Sequence, residues 1–273
     1  MLLKILRKLR QSLFSFLILW SLPNLFGQTQ LYFDHLDSES GLSQNDVNAI
    51  YQDKDGFMWF GTHDGLNKFN GYDFTVFSPD PNTPGSISSN LIFAITGDSE
   101  GNLWIGTTGS GLNFFDRSTE KFSHFRYDKN NFKSISNDNI AQLLLDSKNR
   151  LWVSTNNGIS MTDLNKKGED LEFQRFYPKS WDNFDKSINT IFEDSKGGIW
   201  AGGISDLFKL SRNKQGEFYF KPMNSIIGLP NVNVKGINED KFANLILSTE
   251  SGIYRQTKND DSALMEKLYD GDF

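Results

Sequence analysis

Short runs of alternating apolar and polar residues recur along most of the chain. One such run at residues 91–95 is followed by an Asp-x-x-Gly turn and by a second run at residues 103–105. Alternation with a period of two indicates half-buried β-strands, because successive side chains point to opposite faces. A glycine-rich turn and two further runs, at residues 112–115 and 122–127, complete the unit. The pattern predicts a four-stranded antiparallel sheet.

This unit occurs five times in register, with 45 to 48 residues between successive copies. In four copies a tryptophan stands six positions after the aspartate, and Ile246 takes its place in the fifth. A repeat of this length with four strands is typical of a β-propeller blade. We therefore predict an all-β fold, a β-propeller with about five blades visible. Its structural signature consists of Asp53, Gly56, Trp59, Gly61, Asp98, Gly101, Trp104, Gly106, Asp146, Trp152, Asp194, Gly197, Trp200, Gly202 and Asp240.

The repeat also predicts where each blade begins and ends. A segment starting at Tyr32 has the same spacing of glycine and aspartate as one starting at Tyr219. Residues 31–36 are therefore predicted to be an orphan closing strand, which in a closed propeller pairs with the exposed edge of the last blade. The predicted blades span about 42–78, 89–127, 137–177, 187–221 and 231–269.

Residues 41–74 and 98–116 resemble the two-component regulator propeller repeat. That repeat makes up the exported sensing region of hybrid two-component sensor proteins of Bacteroidetes. The resemblance implies a periplasmic propeller that senses a ligand, often an oligosaccharide, and a seven-bladed ring. Seven blades of this length need more residues than the chain has. We expect an incomplete ring from the N-terminal part of a sensor whose kinase region is absent here; the alternative is a ring closed by five blades.

The N-terminus has the pattern of an export signal. Residues 1–11 carry four basic side chains and no acidic one, and an apolar run at residues 12–22 follows. The run is shorter than the roughly 20 residues that a membrane-spanning helix needs. We predict a signal peptide at 1–27, a mature chain at 28–273 without a membrane span, and a periplasmic location.

The amino-acid composition argues against several classes of function. The chain has no cysteine, so disulfides, thiolate metal sites and thiol nucleophiles are excluded. With 34 acidic against 28 basic residues, its net charge of −6 argues against nucleic-acid binding. The three histidines lie at unrelated positions of different copies, so we expect neither a metal site nor a cofactor.

The candidate ligand-binding residues are few. The repeated tryptophans stand in mid-strand, which favours packing between blades over sugar stacking. Trp181 fits no core period and is the weak candidate for a ligand contact. Nonrepeating residues concentrate in loops at 79–89, 129–138, 178–186 and 224–231.

We therefore expect a noncatalytic ligand-sensing propeller whose partners are an oligosaccharide and the remaining domains of a parent sensor. Two alternatives stay open, because one fold can carry several functions. One is a propeller enzyme, either a polysaccharide lyase or a glycosidase. The other is a free periplasmic platform for protein interactions.

Overall fold

The computed structural model of the chain describes residues 33–166, 171–177, 186–258 and 260–271. Contacts divide the chain into Met1–His35 and Leu36–Phe273, and every helix and strand given below lies in the second unit. The predicted signal peptide, 1–27, lies outside the described residues, as do residues 31 and 32 of the predicted closing strand. Residues 33–36 belong to no strand.

The described residues form five four-stranded antiparallel sheets, as the repeat predicts. The first sheet contains β1 (Val47–Gln52), β2 (Met58–Thr62), β3 (Gly65–Phe69) and β4 (Phe74–Phe77). The second contains β5 (Ile92–Gly97), β6 (Leu103–Thr107), β7 (Leu112–Asp116) and β8 (Lys121–Phe125). The third contains β9 (Ile140–Leu145), β10 (Arg150–Thr155), β11 (Gly158–Asp163) and β12 (Gln174–Phe176).

The remaining two sheets have the same make-up. The fourth contains β13 (Ile188–Glu193), β14 (Ile199–Gly203), β15 (Leu207–Arg212) and β16 (Phe218–Pro222). The fifth contains β17 (Val234–Glu239), β18 (Leu245–Thr249), β19 (Gly252–Gln256) and β20 (Met265–Asp270). A 3-10 turn at Ser38–Ser40 and a short helix α1 (Asn224–Ile227) lie in connecting segments. The predicted all-β fold of four-stranded sheets is confirmed.

Strand order follows chain order in every sheet, and the first two strands share one irregularity. In the second sheet Ile92 pairs with Thr107 and Ala94 pairs with Gly106, so the register shifts by one residue at Phe93 of β5. A register shift occurs at the same place in the other four sheets. Such bulges increase the local twist of a strand pair.

The turn between the first and second strands forces one residue into a left-handed conformation. Gly56 occupies that position in the first copy, with a φ of 90°, and its N–H donates to the carbonyl oxygen of Asp53 at 3.0 Å. Glycine adopts this conformation without a steric cost, whereas residues with a Cβ do not. Asn149 and Ala243 hold the same position in the third and fifth copies, with φ values of 59° and 61°.

Consecutive sheets pack against each other through a knob and a hole. The knob is a β-branched residue of the first strand, and in three of the four contacts between described sheets the hole is a glycine in the second strand of the preceding sheet. A Cβ on Gly106 would lie 2.5 Å from Cγ2 of Ile140 in the next sheet. Ile92 against Gly61 and Val234 against Gly202 repeat this arrangement, with corresponding distances of 2.6 Å. A Cβ at these three glycines would meet the knob, whereas the third sheet has the buried Ser154 at the corresponding position.

The four described signature tryptophans lie in the cores between sheets. Trp152 packs with Ile188, Ile191 and Phe208 of the fourth sheet. Trp59, Trp104 and Trp200 occupy the equivalent cores, and all four are at most 2% exposed. Each indole contributes on the order of 200 Å² of buried surface to these cores.

The first sheet has no described sheet in front of it. Val47 occupies the knob position and is 36% exposed, whereas the knobs of the other four sheets are buried. Ile50, on the same strand, is 62% exposed. At the other end, Ser248 occupies the hole position of the fifth sheet and is exposed. The number of blades in a complete ring stays a prediction.

Candidate ligand groove at the aspartate turns

In three copies the aspartate of the turn accepts a hydrogen bond from the tryptophan of the following strand. The indole N–H donates to Oδ2 of the carboxylate at 2.7 to 2.8 Å in the pairs Asp53–Trp59, Asp146–Trp152 and Asp194–Trp200. Oδ1 accepts backbone N–H groups of the turn; in the first copy these come from Asp55 and Phe57, both at 3.0 Å. In these copies the signature pair joins the turn to the core between sheets.

Asp146 shows the electrostatics of the turn most clearly. Burial raises the pKa of its carboxyl group, but hydrogen bonds from Trp152 and Arg150 and the charge of Arg150 outweigh burial. The pKa is therefore held below its ordinary value, and the group is ionised at neutral pH. Nε of Arg150 lies 2.6 Å from Oδ2, which makes this a charge-assisted bond.

The second copy departs from this pattern. Oδ2 of Asp98 accepts from Nδ2 of Asn102 at 3.0 Å. Trp104 is 2% exposed, and its Nε1 has no hydrogen-bond partner among the described residues. Buried N–H groups are nearly always paired, so this one is an exception that needs an explanation.

The fifth copy supplies that explanation. There Asn244, at the position of Asn102, donates to Oδ2 of Asp240 at 3.1 Å, and Ile246 replaces the tryptophan. Asparagine therefore substitutes for the indole as the donor to the aspartate. The second copy has both donors, and the amide takes the carboxylate oxygen that the indole holds elsewhere. The indole N–H of Trp104 is therefore left without an acceptor among the described residues.

The unpaired indole lines a cavity of about 530 Å³ between the second and third sheets. This volume is in the range of small-molecule sites, about 300 to 1,000 Å³. We call this cavity the Trp104 groove. Its walls combine carboxylates, amides, a hydroxyl, aromatic rings and aliphatic side chains, contributed by Asp98, Glu100, Asn102, Asn149, Asn165, Ser99, Trp104, Phe114, Leu164 and Leu171.

A second hollow of about 620 Å³ adjoins the Trp104 groove. The two share Glu100, Asn102 and Phe114 as lining residues. Arg117 also lines the second hollow, and its guanidinium forms an ion pair with Asp55. Asp116 lies beside it, and hydrogen bonds from Ser118 lower the pKa of its carboxyl group. The carboxylates of Asp98, Glu100 and Asp116 line the two hollows.

Two of the loops predicted to bind a ligand lie at the strand ends opposite to the aspartate turns. Residues 79–89 and 129–138 connect one sheet to the next, and they bury Ile87 and Ile135. A backbone N–H bonds to each loop at 2.8 Å: Phe122, in β8, donates to Gly85, and Phe173, directly before β12, donates to Lys133. A smaller hollow of about 290 Å³ reaches the second of these loops at Lys133.

The other two predicted loops add little to a site. Of residues 178–186 only Lys186 is described, so Trp181 lies outside the described residues. Residues 224–231 contain α1, whose Asn224 and Ile227 are buried.

Among the described residues, no group of three His, Asp or Glu side chains is placed to hold a metal ion. None of the helices described in the structure is long and apolar enough to cross a membrane.

Sequence reasoning did not find the Trp104 groove. The available signal was the coincidence of Asn102 and Trp104 in one copy, which occurs in none of the other four. Whether this coincidence leaves the indole of Trp104 unpaired depends on which of the two side chains bonds to Asp98. The sequence alone does not show which one does.

Three segments of the chain, residues 41–64, 86–109 and 134–157, match the family model described as two component regulator propeller. Each segment contains the first strand, the aspartate turn and the second strand of one sheet. The chain contains two-component regulator propeller repeats. The resemblance seen in the sequence is thereby confirmed.

Relatives of these propeller repeats belong to two-component signalling proteins. Histidine kinase P4 of Formosa agariphila is 52% identical over 48 residues, which are 18% of this chain and 4% of that protein. The solved extracellular domain of a protein described as a hybrid two-component system, BT3049 of B. thetaiotaomicron, is 27% identical with a TM-score of 0.72. The match covers 87% of this chain and 32% of that domain, so the chain spans about a third of its length.

The propeller fold is also shared with an enzyme. Virginiamycin B lyase of Staphylococcus aureus is 16% identical with a TM-score of 0.58, and the match covers 82% of this chain and 69% of the lyase. At this identity the likeness shows the fold alone, and it says nothing about the chemistry of this chain.

Proposed function

We propose that the chain is a noncatalytic, periplasmic ligand-sensing propeller and the N-terminal part of a hybrid two-component sensor histidine kinase. The observation that carries this proposal is the match to the extracellular domain of a hybrid two-component system, at 27% identity over 87% of this chain. Three segments of the chain match the two component regulator propeller model, and a histidine kinase is 52% identical to it over 48 residues. In this role the propeller binds a ligand outside the cytoplasm, and the kinase of the parent protein carries the signal.

The proposed ligand is an oligosaccharide fragment of a polysaccharide. The Trp104 groove supports this class because its carboxylates and amides can hydrogen-bond to hydroxyl groups. Half-buried Phe114 and the leucines offer apolar surface to the C–H faces of a sugar ring. A noncatalytic site of this kind binds and releases its ligand unchanged.

Isothermal titration calorimetry with the purified chain tests this function. The panel contains neutral oligosaccharides from starch, cellulose and xylan, and acidic ones from pectin and alginate. We expect saturable heat from at least one of them and no new product when the mixture is analysed by chromatography. No heat from the whole panel with a folded sample would refute the sensing of oligosaccharides. Cleavage of a bound oligosaccharide would refute the noncatalytic role.

A further inference from the structure

The turn between β3 and β4 contains one of the two Asn-Gly sequences of the chain, Asn70-Gly71, and the other is Asn157-Gly158. In such a pair the peptide nitrogen of the glycine can attack the side-chain amide of the asparagine, because the glycine has no side chain to block the approach. The attack closes a succinimide ring and expels ammonia. Whether it takes place in a folded protein depends on how the fold holds each pair.

We propose that Asn70 is a site of spontaneous deamidation in the folded protein, converted through a succinimide to isoaspartate and aspartate, whereas Asn157 is protected. Solvent hydroxide removes the proton from the nitrogen of Gly71, which then forms a bond to Cγ of Asn70. The bond from Cγ to Nδ2 breaks, and ammonia leaves with a proton from water. A water molecule opens the ring at either carbonyl carbon. The net reaction consumes one water, releases one ammonia and oxidises nothing.

Two backbone donors point at the oxygen on which negative charge develops. Oδ1 of Asn70 accepts from the N–H groups of Tyr72 and Asp73, both at 2.8 Å. When the nitrogen of Gly71 adds to Cγ, this oxygen becomes an oxyanion, and donors already aimed at it stabilise the transition state. The same two bonds fold the side chain of Asn70 back along the main chain that follows it, as in other Asx turns.

The attacking nitrogen is open to solvent. Asn70 and Gly71 are both exposed, and an added Cβ on Gly71 would meet nothing within 4 Å. In the described part of the chain the N–H of Gly71 donates to no acceptor, so hydroxide can remove its proton without breaking a hydrogen bond. Gly71 has a φ of 97°, in a region that glycine enters and leaves without a steric cost. The turn can therefore adjust as the ring closes.

Asn157-Gly158 has the same two residues in an arrangement that blocks the reaction. Gly158 is buried, and its N–H donates to the carbonyl oxygen of Lys186 at 2.9 Å. Gly158 also pairs with Thr155 at the start of β11, and an added Cβ would lie 2.7 Å from the carbonyl oxygen of Phe176. Its nitrogen can attack the amide of Asn157 only after these contacts open. The chain thus carries an internal control for the exposed pair.

Deamidation of Asn70 changes the outer hairpin of the first sheet. On either side of the turn Phe69 pairs with Phe74, and their rings lie 4.7 Å apart. Isoaspartate adds one carbon atom to the main chain between these two residues, so the turn no longer fits the register of β3 and β4. Aspartate adds a negative charge and leaves the main chain unchanged. We therefore expect isoaspartate, and not aspartate, to loosen β4.

Peptide mapping by tandem mass spectrometry measures both Asn-Gly pairs in one sample. The purified chain is kept at mildly alkaline pH, and the fraction of each asparagine converted to the heavier acid is followed with time. We expect Asn70 to react at least tenfold faster than Asn157 in the folded chain. In urea, where both pairs lose their contacts, the two rates should agree to within about twofold. Equal rates in the folded chain, or an Asn70 that reacts only in urea, would overturn the proposal.

Asn70→Asp is the matched variant, because it carries the charge of one product on an unaltered main chain and keeps an acceptor in the turn. It is expected to release no ammonia from this position and to melt close to the fresh wild-type chain. The aged wild-type chain should melt lower in proportion to its isoaspartate content, whereas Asn70→Asp aged for the same period should not change. An aged wild-type chain that contains isoaspartate at this position and melts like the fresh one would refute the loosening of β4.

Discussion

Asp146 and Trp152, six residues apart in the chain, are joined by a 2.8 Å hydrogen bond from the indole N–H to Oδ2 of the carboxylate. The bond ties the turn of the third copy to a side chain buried between the third and fourth sheets. The same relationship holds in the first and fourth copies, whereas in the second an asparagine takes the place of the indole. The repeat therefore requires a donor to the aspartate, and the tryptophan is one of two ways to supply it.

Replacing the bonded indole should cost more than replacing the unbonded one. Trp152→Phe and Trp104→Phe remove the same atoms from a buried ring, but only the first breaks a hydrogen bond to a charged group. We expect the free energy of unfolding to fall by about 1.5 kcal/mol more in Trp152→Phe, the low end for a bond to a charged group. Urea denaturation of both variants measures this difference. Equal losses would show that the bond contributes nothing.

Acid should weaken the third turn. The pKa of Asp146 is lower in the folded protein than its ordinary value, which the unfolded chain retains. Its contribution is therefore fully present above the ordinary carboxyl pKa and is lost as the pH falls through the lowered one. We expect the stability of the wild-type chain to decline in this acidic range, and Asp146→Asn to decline less. Thermal melts from pH 7 down to pH 2 compare the two proteins, and identical slopes would contradict the assignment.

Asp206 should behave in the opposite way. Burial raises the pKa of its carboxyl group above the ordinary value. Its favourable contribution is present below the ordinary pKa and is lost as the pH rises through the raised one. Asp206→Asn should therefore raise the melting temperature at pH 7, and the gain should vanish at pH 3. A variant less stable than wild type at pH 7 would show that the carboxylate has a favourable partner.

The knob-and-hole contact between sheets predicts a position-specific effect of alanine. Gly106→Ala places a Cβ 2.5 Å from Cγ2 of Ile140, so we expect a loss of about 1 to 3 kcal/mol in the free energy of unfolding. Ser248→Ala changes the same position of the fifth sheet, where the side chain is exposed, and should have little effect. Adding Ile140→Ala to Gly106→Ala should cost less than the sum of both changes. Strict additivity in urea denaturation would rule out the contact.

The fifth turn should gain stability from a glycine. Ala243 has a φ of 61°, a left-handed conformation that costs a residue with a Cβ about 1 kcal/mol. Ala243→Gly is therefore expected to raise the free energy of unfolding by about that amount. Gly56→Ala is the reciprocal change, since its φ is 90° and nothing lies within 4 Å of the added Cβ. It should lower stability similarly, and a gain in that variant would disprove the explanation.

The sequence by itself determined the strands, the turns and the repeat. Alternation of side chains along residues 103–105 is a property of neighbouring residues, and so is the turn from Asp98 to Gly101. Five copies of such local signals were enough to predict five four-stranded sheets and the family to which the repeats belong. The predicted signal peptide and Trp181 lie outside the described residues and stay predictions.

Only the tertiary structure decided that a groove forms beside Trp104. Asn102 and Trp104 are both visible in the sequence, but which of the two bonds to the carboxylate of Asp98 depends on how the side chains are arranged in the folded sheet. The Trp104 groove also needs Asn149 and Leu164 from the next sheet. Its place at the aspartate turns, away from the variable loops, follows from how two sheets pack. Packing joins residues that are distant in the chain, and a repeat pattern specifies each sheet without specifying the gap between them.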